Sequence, residues 1–309
     1  MNNPKVSVMV PTYNQEDLIK ETLDSILSQT YRNIEVIVTD DGSSDRTSEI
    51  INAYHDAHPD RIKPVYSDVN TGIAANVNRA LAQVTGKYIS WLAGDDLMKP
   101  EKIEKQVCLL ESRLDAVGCI HDVEVFESGT GKVYGLFSDI YNGSSKFDSG
   151  GVELWFRSGY CMPGLSLMIR ASSVPANLYD TRLHYLNEWV FHVEVFRQGK
   201  CLVLDEVLGG YRRHAGNVTS SDRLNKIALE ENLIALGIVE SRYPELYRHI
   251  KSKRQALLLG AAYRCYLKKD KKLFFHFLKA AISVGGVVRA ITILIRRMYY
   301  KRSSDSICF

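Results

Sequence analysis

The chain has 309 residues, of which 45% are hydrophobic and 24% charged, so it can bury one large core or a catalytic domain with an accessory segment. Its net charge of +3 conceals a split: from Lys251 onward 14 Lys and Arg meet only two acids, a balance of +12, whereas the first 250 residues hold 25 basic and 34 acidic side chains, a balance of −9. A net positive charge confined to one end with no recognition motif argues against a nucleic-acid module, and six scattered cysteines (Cys108, Cys119, Cys161, Cys201, Cys265, Cys308) with no C-x-x-C pair argue against a zinc site or a disulfide framework.

The amino terminus, "MNNPKVSVMVPTYN", lacks the basic-then-apolar layout of a secretory signal. Its "KVSVMV" (residues 5–10) reads as a β-branched strand ended by Pro11, and a helix from about Asp17 lines up Ile19, Leu23, Ile26 and Leu27. "IEVIVT" (34–39) is the next strand, broken by "DDGSSD", in which Ser43, Ser44 and Asp45 all suit the cap of a following helix. "RIKPVYS" is a third strand, placed at a sheet edge by Pro64, and the helix from about Gly72 aligns Ile73, Val77, Leu81 and Val84. "KYISWLA" is the fourth strand; the helix after it has Pro100 near its first position, Glu101 and Glu104 in its first turn and Ile103, Val107 and Leu110 inside. Further on, "DAVGCIHDVEVFESGTGKVYGLF" reads as two strands joined through residues 128–131, "GLSLMIR" (164–170) as a strand, and "NEWVFHVEVFRQGK" (187–200) as a helix ended by Gly199. From about Ser221 the chain reads as helices to its end.

Strands alternating with helices imply a mostly parallel sheet whose ligands sit at the carboxyl ends of the strands. Those ends carry "PTYN", "TDDGSS", "SDVNTG" and "AGDD". The turn after the first strand, "PTYNQED", has no glycine, which disfavours a dinucleotide-binding loop, and no G-x-x-x-x-G-K-[ST] loop is present. A diphosphate bound here needs positive charge from elsewhere. Adjacent Asp95 and Asp96, following Gly94, would hold a divalent magnesium or manganese ion that in turn holds the diphosphate. The same letters also read as a polar turn that caps a helix.

In this order of motifs the chain resembles a family 2 nucleotide-sugar glycosyltransferase of the GT-A fold, of the kind that builds bacterial surface polysaccharides. The likeness runs through "VSVMVPTYNQEDLIKETLDSILSQTYRNIEVIVTDDGSSDRT", "NTGIAANVNRALAQVTGKYISWLAGDD" and "YRRHAGNVTS", roughly residues 5–220. It implies a Rossmann-like central sheet flanked by helices over residues 1–220, with a nucleotide-binding half (1–98), an acceptor-binding half (99–220) and a helical, basic and apolar region over 221–309. Position by position, Pro11, Thr12 and Tyr13 would wall the base pocket, Asp41 would accept a hydrogen bond from the base imide, and Asn70 and Gly72 would shape the loop beside the nucleotide. Asp96 would be the direct metal ligand, with Asp95 nearer the ribose or sugar, and His214 would complete the metal or diphosphate site. The chain departs from the family at Ala93, where an acid is common, and at Val77, where an arginine is common. Arg79 is expected to point away, leaving Arg212 and Arg213 as candidates to meet the diphosphate. At the family's acidic pair the letters are "NEW", so Asn187 replaces one acid and Glu188 stands as the general base, with Glu194 as a fallback and Trp189 flanking the sugar or acceptor. Without the resemblance, Glu188 reads as an ordinary acid in a helical first turn.

The expectation is a metal-dependent, inverting transferase that moves a sugar from a nucleotide diphosphate donor, a uridine one first, to a hydroxyl of a glycan or lipid-linked oligosaccharide. The alternatives are a nucleotide-sugar-binding protein that has lost turnover and a nucleotidyltransferase, which needs a glycine- and lysine-rich triphosphate loop that "PTYNQED" does not provide. "LFFHFLKAAISVGGVVRAITILIRRMYYKR" (273–302) has no charge-free stretch long enough to span a bilayer. It reads either as an interfacial segment with Arg289, Arg296, Arg297, Lys301 and Arg302 facing anionic lipid, or as a helical subdomain packed on the core or in an oligomer. The expected location is cytoplasmic, peripheral to the inner membrane face if the first reading holds.

Overall fold

A computed structural model describes residues 3–141, 147–157, 162–184, 186–217, 224–287 and 290–291 of the chain. Cys161, Cys308 and the tail cations from Arg289 to Arg302 lie outside the described residues; Cys108, Cys119, Cys201 and Cys265 are free thiols. The chain forms two compact units, Met1–Val152 with Met162–Asn217, and Glu153–Cys161 with Val218–Phe309.

The first unit is built on a mixed sheet of nine strands among the described residues: β1 (Val6–Thr12), β2 (Ile34–Asp40), β3 (Ile62–Tyr66), β4 (Tyr88–Trp91), β5 (Leu97–Met98), β6 (Ala116–Glu127), β7 (Val133–Leu136), β8 (Met168–Arg170) and β9 (Lys200–Arg213). Their order is β3-β2-β1-β4-β8-β6-β9-β5, with β7 added on β6. β1 to β4 run parallel, β8 is antiparallel to both β4 and β6, and β6 pairs parallel with β9. Six strands therefore point the same way, and β1, β2, β4, β6 and β9 send their carboxyl ends to one edge. β1 and β2 are buried along nearly their whole length, as expected of parallel strands covered on both faces, whereas β3 is half exposed and carries Pro64 at the sheet edge.

The helices are α1 (Ile19–Leu27), α2 (Thr47–Ala57), α3 (Ile73–Leu81), α4 (Lys102–Ser112), α5 (Phe137–Tyr141) and α6 (Asn187–Phe196). Several sequence expectations shift. α3 stops at Leu81, before Val84, and Ile73 stays 47% exposed; the buried face is Ala74, Asn76, Val77, Ala80 and Leu81. Ser43 and Ser44 do not cap α2. The cap position is Arg46, and Asp45 just before it accepts from the Thr47 N–H (3.0 Å), while the Ser43 hydroxyl donates to Asp40 and the Ser44 N–H to Asn14. Residues 164–166 form a 3-10 turn, so only Met168–Arg170 is strand. The second unit holds α7 (Leu224–Arg242), α8 (Tyr247–Leu267) and α9 (Lys271–Gly285). No helix among the described residues is long and apolar enough to cross a membrane.

One ionisable group inside the first unit makes its stability depend on pH. Lys102 is fully buried in α4, its Nζ donates to Ser90 Oγ (2.6 Å), and burial pushes its ammonium down to about 7. An unfolded lysine keeps its proton to about pH 10.4. Above pH 7 the unfolded chain therefore binds the extra proton, so this group's burden on folding is full below pH 7 and lifts as the pH rises toward 10. Lys102→Met is expected to raise the urea midpoint at pH 6, with the gain shrinking by pH 9. A gain independent of pH would show that the buried charge is not its source.

Candidate active site

The nucleotide half of the candidate site is a set of loops tied to one another at the carboxyl edge. Asn14, at φ 50°, lets the loop after β1 turn back toward the loop after β2. There the Asn14 N–H donates to Ser43 Oγ (2.8 Å), Gln15 N–H to Thr47 Oγ1 (2.8 Å) and Glu16 N–H to Asp45 Oδ2 (3.1 Å). Tyr13 is 44% exposed, as a pocket wall requires and a core residue does not, and it follows half-buried Pro11 and buried Thr12. Gly42 has φ 73°, and a Cβ there would lie 2.8 Å from the Val69 carbonyl carbon, so only glycine lets the loops after β2 and β3 approach this closely.

Asp41 is the knot of this half. Its carboxylate accepts from the Thr71 N–H (3.1 Å), the Thr71 hydroxyl (2.7 Å), the Gly72 N–H (2.8 Å) and Arg79 (2.5 Å). Burial opposes the charge, and these bonds outweigh it, holding the carboxyl below its ordinary range. Arg79 thus turns into the site and pairs with Asp41 rather than pointing away. Gly72 N–H also donates to Asn70 Oδ1 (3.1 Å), so the expected loop residues Asn70 and Gly72 do lie together, held by Asp41.

At the end of β4 the two aspartates face opposite ways. Asp96 is 5% exposed, and its Oδ1 accepts the Arg212 N–H (2.9 Å). Burial drives its carboxyl well above the ordinary range, and the charge of Asp95 adds to the shift. The side chain of Arg212 is buried too. Its Nε donates to the Asp95 carbonyl (2.7 Å), Nη2 to Glu21 (2.6 Å), and its guanidinium lies 5.0 Å from the Phe126 ring centroid. Arg212 is therefore committed to building the turn and is not free to meet a diphosphate.

Asp95 faces the site: its Oδ2 lies 2.9 Å from His214 Nε2. His214 Nδ1 accepts the Gly216 N–H (3.2 Å), which places the neutral ring's proton on Nε2, and the His214 N–H is anchored on Asn217 Oδ1 (2.6 Å). Two adjacent ligands of an octahedral ion with bonds of about 2.1 Å stand roughly 3 Å apart, so this pair has the spacing of one edge of a small divalent cation's shell, and binding an ion there would require the ring proton to leave Nε2 for Nδ1. Among the described residues no three His, Cys, Asp or Glu side chains gather as a fuller cluster. The remaining ligands would have to come from substrate and water, as is usual where phosphates share the ion. This geometry makes Asp95 with His214 the accessible pair, whereas the sequence reading placed Asp96 first.

Glu188 opens α6, and α6 is seated on β4. Phe191 meets Trp91 edge-on (centroids 5.9 Å apart) and leans on Tyr179 (4.5 Å). A Cβ on Gly164 would fall 2.7 Å from Glu188 Oε1, so a glycine there makes room for the carboxylate. The side chain is 46% exposed, with His192 Nε2 3.8 Å away, and its surroundings withhold enough water to raise the carboxyl to about 7. Asn187 is buried, its amide donating to the carbonyls of Leu183 (3.2 Å) and His184 (3.3 Å), so it locks the helix start. Glu194 is only 1% exposed, in the buried body of the helix, and is the weaker candidate. Trp189 is half-buried in the same first turn.

Beyond His214, at the ends of β6 and β9, lies an open groove of about 530 Å³ lined by Glu127, Ser128, Thr130, Tyr134, Arg213, His214 and Ala215. Tyr134 is 48% exposed, with its hydroxyl donating to Glu127 (2.8 Å), and Arg213 donates to the Tyr141 hydroxyl (2.8 Å). Sequence reasoning missed this groove and the structural role of Arg212. The alternation along "YRRH" was the available signal, because neighbouring strand residues point to opposite faces.

Comparison with known proteins identifies the family and the fold. The glycosyl transferase family 2 profile matches residues 7–172. An uncharacterised glycosyltransferase of Rickettsia prowazekii is 30% identical over 296 residues, covering 94% of this chain and 89% of that protein. A putative teichuronic acid biosynthesis glycosyltransferase, TuaG of Bacillus subtilis, is 39% identical over 110 residues, 36% of this chain and 43% of its own. Among solved structures, S. aureus TarS (residues 1–349) in complex with UDP-GlcNAc superposes with a TM-score of 0.70 at 18% identity, covering 95% of this chain and 85% of TarS, which speaks for a shared fold. The fold and the edge-on site define a GT-A glycosyltransferase. The chain belongs to glycosyl transferase family 2.

Arg212→Met removes the donor that joins the Asp95 turn to Glu21. It is expected to destabilise the protein by about 1–3 kcal/mol in urea unfolding, the cost of leaving the Asp95 carbonyl without its donor, since Glu21 is 59% exposed and returns to water. A loss below about 0.5 kcal/mol, the size of an ordinary surface change, would overturn this role.

Proposed function

We propose that the protein is a metal-dependent, inverting glycosyltransferase that carries a sugar from a uridine diphosphate donor to a hydroxyl of a glycan or lipid-linked oligosaccharide. The observation that carries this reading is the contact between Asp95 and His214 at the carboxyl edge of the sheet, a carboxylate and an imidazole poised to share one cation. Tyr13 offers its ring face to the base, and the imide N–H takes a place on Asp41 now filled by Thr71. Asn70 and Gly72 wall the nucleoside end. Asp95 and His214 hold a manganese or magnesium ion, the imidazole favouring manganese. When bound, the ion stabilises the charge that grows on the departing diphosphate. Asp96, buried and with its carboxyl raised by burial and by the charge of Asp95, keeps the turn in place through the Arg212 N–H.

Glu188 takes the proton from the acceptor hydroxyl as that oxygen attacks the anomeric carbon. A carboxylate raised to about 7 is a stronger base than an ordinary glutamate and is still ionised in part at neutral pH. The groove beside His214 receives the acceptor: an exposed tyrosine with a carboxylate and a guanidinium suits the apolar faces and hydroxyls of sugars. The likeness to TuaG supports an acceptor in bacterial polysaccharide assembly.

The test is release of uridine diphosphate from a panel of sugar donors with manganese, magnesium or chelator. One donor is expected to be hydrolysed only with metal, and Asp95→Ala and His214→Ala are expected to weaken metal dependence more than they weaken folding. Failure of every donor to bind under any condition would overturn the reading. With acceptor present, Glu188→Gln is expected to lower transfer by about a hundredfold or more while donor hydrolysis persists. Because Glu188 must be ionised, wild-type kcat/KM is expected to fall below pH about 7, with that limb absent from the residual activity of Glu188→Gln. An unchanged limb would assign it to another group.

A further inference from the structure

The turn between α8 and α9 carries a surface that the transferase reaction does not use. The inner sides of these helices are satisfied. Leu258, Leu259 and Ala281 form a buried cluster with Phe277, Leu278 and Ile282 against it, and Gln255 donates to the carbonyls of Ala281 and Gly286 (both 3.2 Å), locking the pair. The tip is different. Tyr266 is 54% exposed, Leu267 46%, Leu273 45% and Phe275 63%. These four come from the last turn of one helix and the first turns of the next, so the hairpin gathers them. Phe274 bridges them, its ring 5.9 Å from Tyr266 and 5.1 Å from Phe275. Isolated exposed apolar residues are ordinary on a protein surface; a contiguous aromatic cluster on a hairpin tip is not.

The charge around the cluster indicates what covers it. Lys268, Lys269, Lys271 and Lys272 are all exposed, and the one acid among them, Asp270, is engaged as the cap of α9, accepting the Leu273 N–H (3.0 Å). Lys269 holds φ 60°, which turns the chain sharply enough to set two lysines on each side of that cap. Four flexible ammonium groups ringing a small aromatic-aliphatic tip are poorly suited to the core of a protein interface, where lysine is depleted. They suit the boundary of a bilayer, where aromatic rings sit at headgroup depth and lysine stems extend to anionic phosphates.

We infer that the α8–α9 tip, through Tyr266, Leu267, Leu273 and Phe275 and the four lysines around them, docks the protein on an anionic lipid surface. The sequence reading looked for this contact in Arg289, Arg296, Arg297, Lys301 and Arg302; the tip supplies a site without them. A surface-held transferase meets a lipid-linked acceptor in two dimensions, so the inference is consistent with the proposed acceptor, yet it stands on the hairpin alone.

The experiment is flotation of the full-length protein with vesicles of phosphatidylcholine alone or with phosphatidylglycerol added to about a third of the lipid. Wild type is expected to float only with the anionic vesicles and to be released by salt. Leu273→Ser with Phe275→Ser, and separately Lys268→Glu with Lys272→Glu, are each expected to reduce flotation by about tenfold or more. Metal-dependent donor hydrolysis, measured without lipid, should stay at the wild-type level in both variants and shows that they fold. Three results would overturn the inference: wild type that stays unbound, tip variants that float as well as wild type, or equal flotation with neutral and anionic vesicles. A fourth would do so by naming another occupant: light scattering that finds a wild-type dimer, monomeric in the Leu273/Phe275 variant, with flotation unaltered. Because hydrolysis is read separately, failure of the transferase reading and failure of the membrane contact give different results.

Discussion

A guanidinium withdrawn from water must find partners on every side, and the arrangement of this site follows from how Arg212 meets that demand. Its side chain reaches the Asp95 carbonyl and Glu21 while its own N–H binds the Asp96 carboxylate. One residue near the end of β9 thereby joins α1 to the turn that follows β4. The ring of Phe126 covers the guanidinium, keeping competing water away and making each of these bonds stronger than it would be at the surface. His214 comes two residues after this clamp, so anchoring Arg212 also brings the imidazole within reach of Asp95.

The same clamp resolves the problem of two adjacent carboxylates. Neighbouring aspartates repel if both are ionised and both face one way. Here the turn sends Asp96 inward, where burial favours its neutral form, and Asp95 outward, where His214 is the partner. The pair divides into a buried member, Asp96, and a member in contact with His214, Asp95. Position 93 carries alanine rather than a third acid, and His214, the residue after β9, stands beside Asp95.

The acceptor half is connected to this centre through apolar packing rather than charge. Trp91 closes β4, Phe191 meets it from α6, and Tyr179 leans on Phe191. That stack fixes the axis of α6 and so the position of Glu188 at its start. Gly164 leaves the space its carboxylate occupies, and the surrounding protein raises it to about 7. The proposed site therefore combines loops bonded to loops, where the nucleotide is proposed to bind, with Glu188, the proposed base, whose carboxyl is raised by its packing.

The sequence by itself determined the alternation of strands and helices over the first half, the edge place of β3, and the four loops that meet at the carboxyl edge. These follow from local periodicity and from Gly and Pro at the turns, which act over a few residues. It also marked Tyr13, Asp41, Asp95, Asp96, Glu188 and His214 as the residues to watch. Only the tertiary structure decided what each of them touches. Arg79 on Asp41, Arg212 beneath the aspartates and His214 beside Asp95 join positions between 38 and 119 residues apart, and no local pattern encodes such a pairing. Burial decided the rest. Whether a carboxylate is a ligand, a base or a buried strut depends on how much water its neighbours leave it, and that is a property of the packed protein.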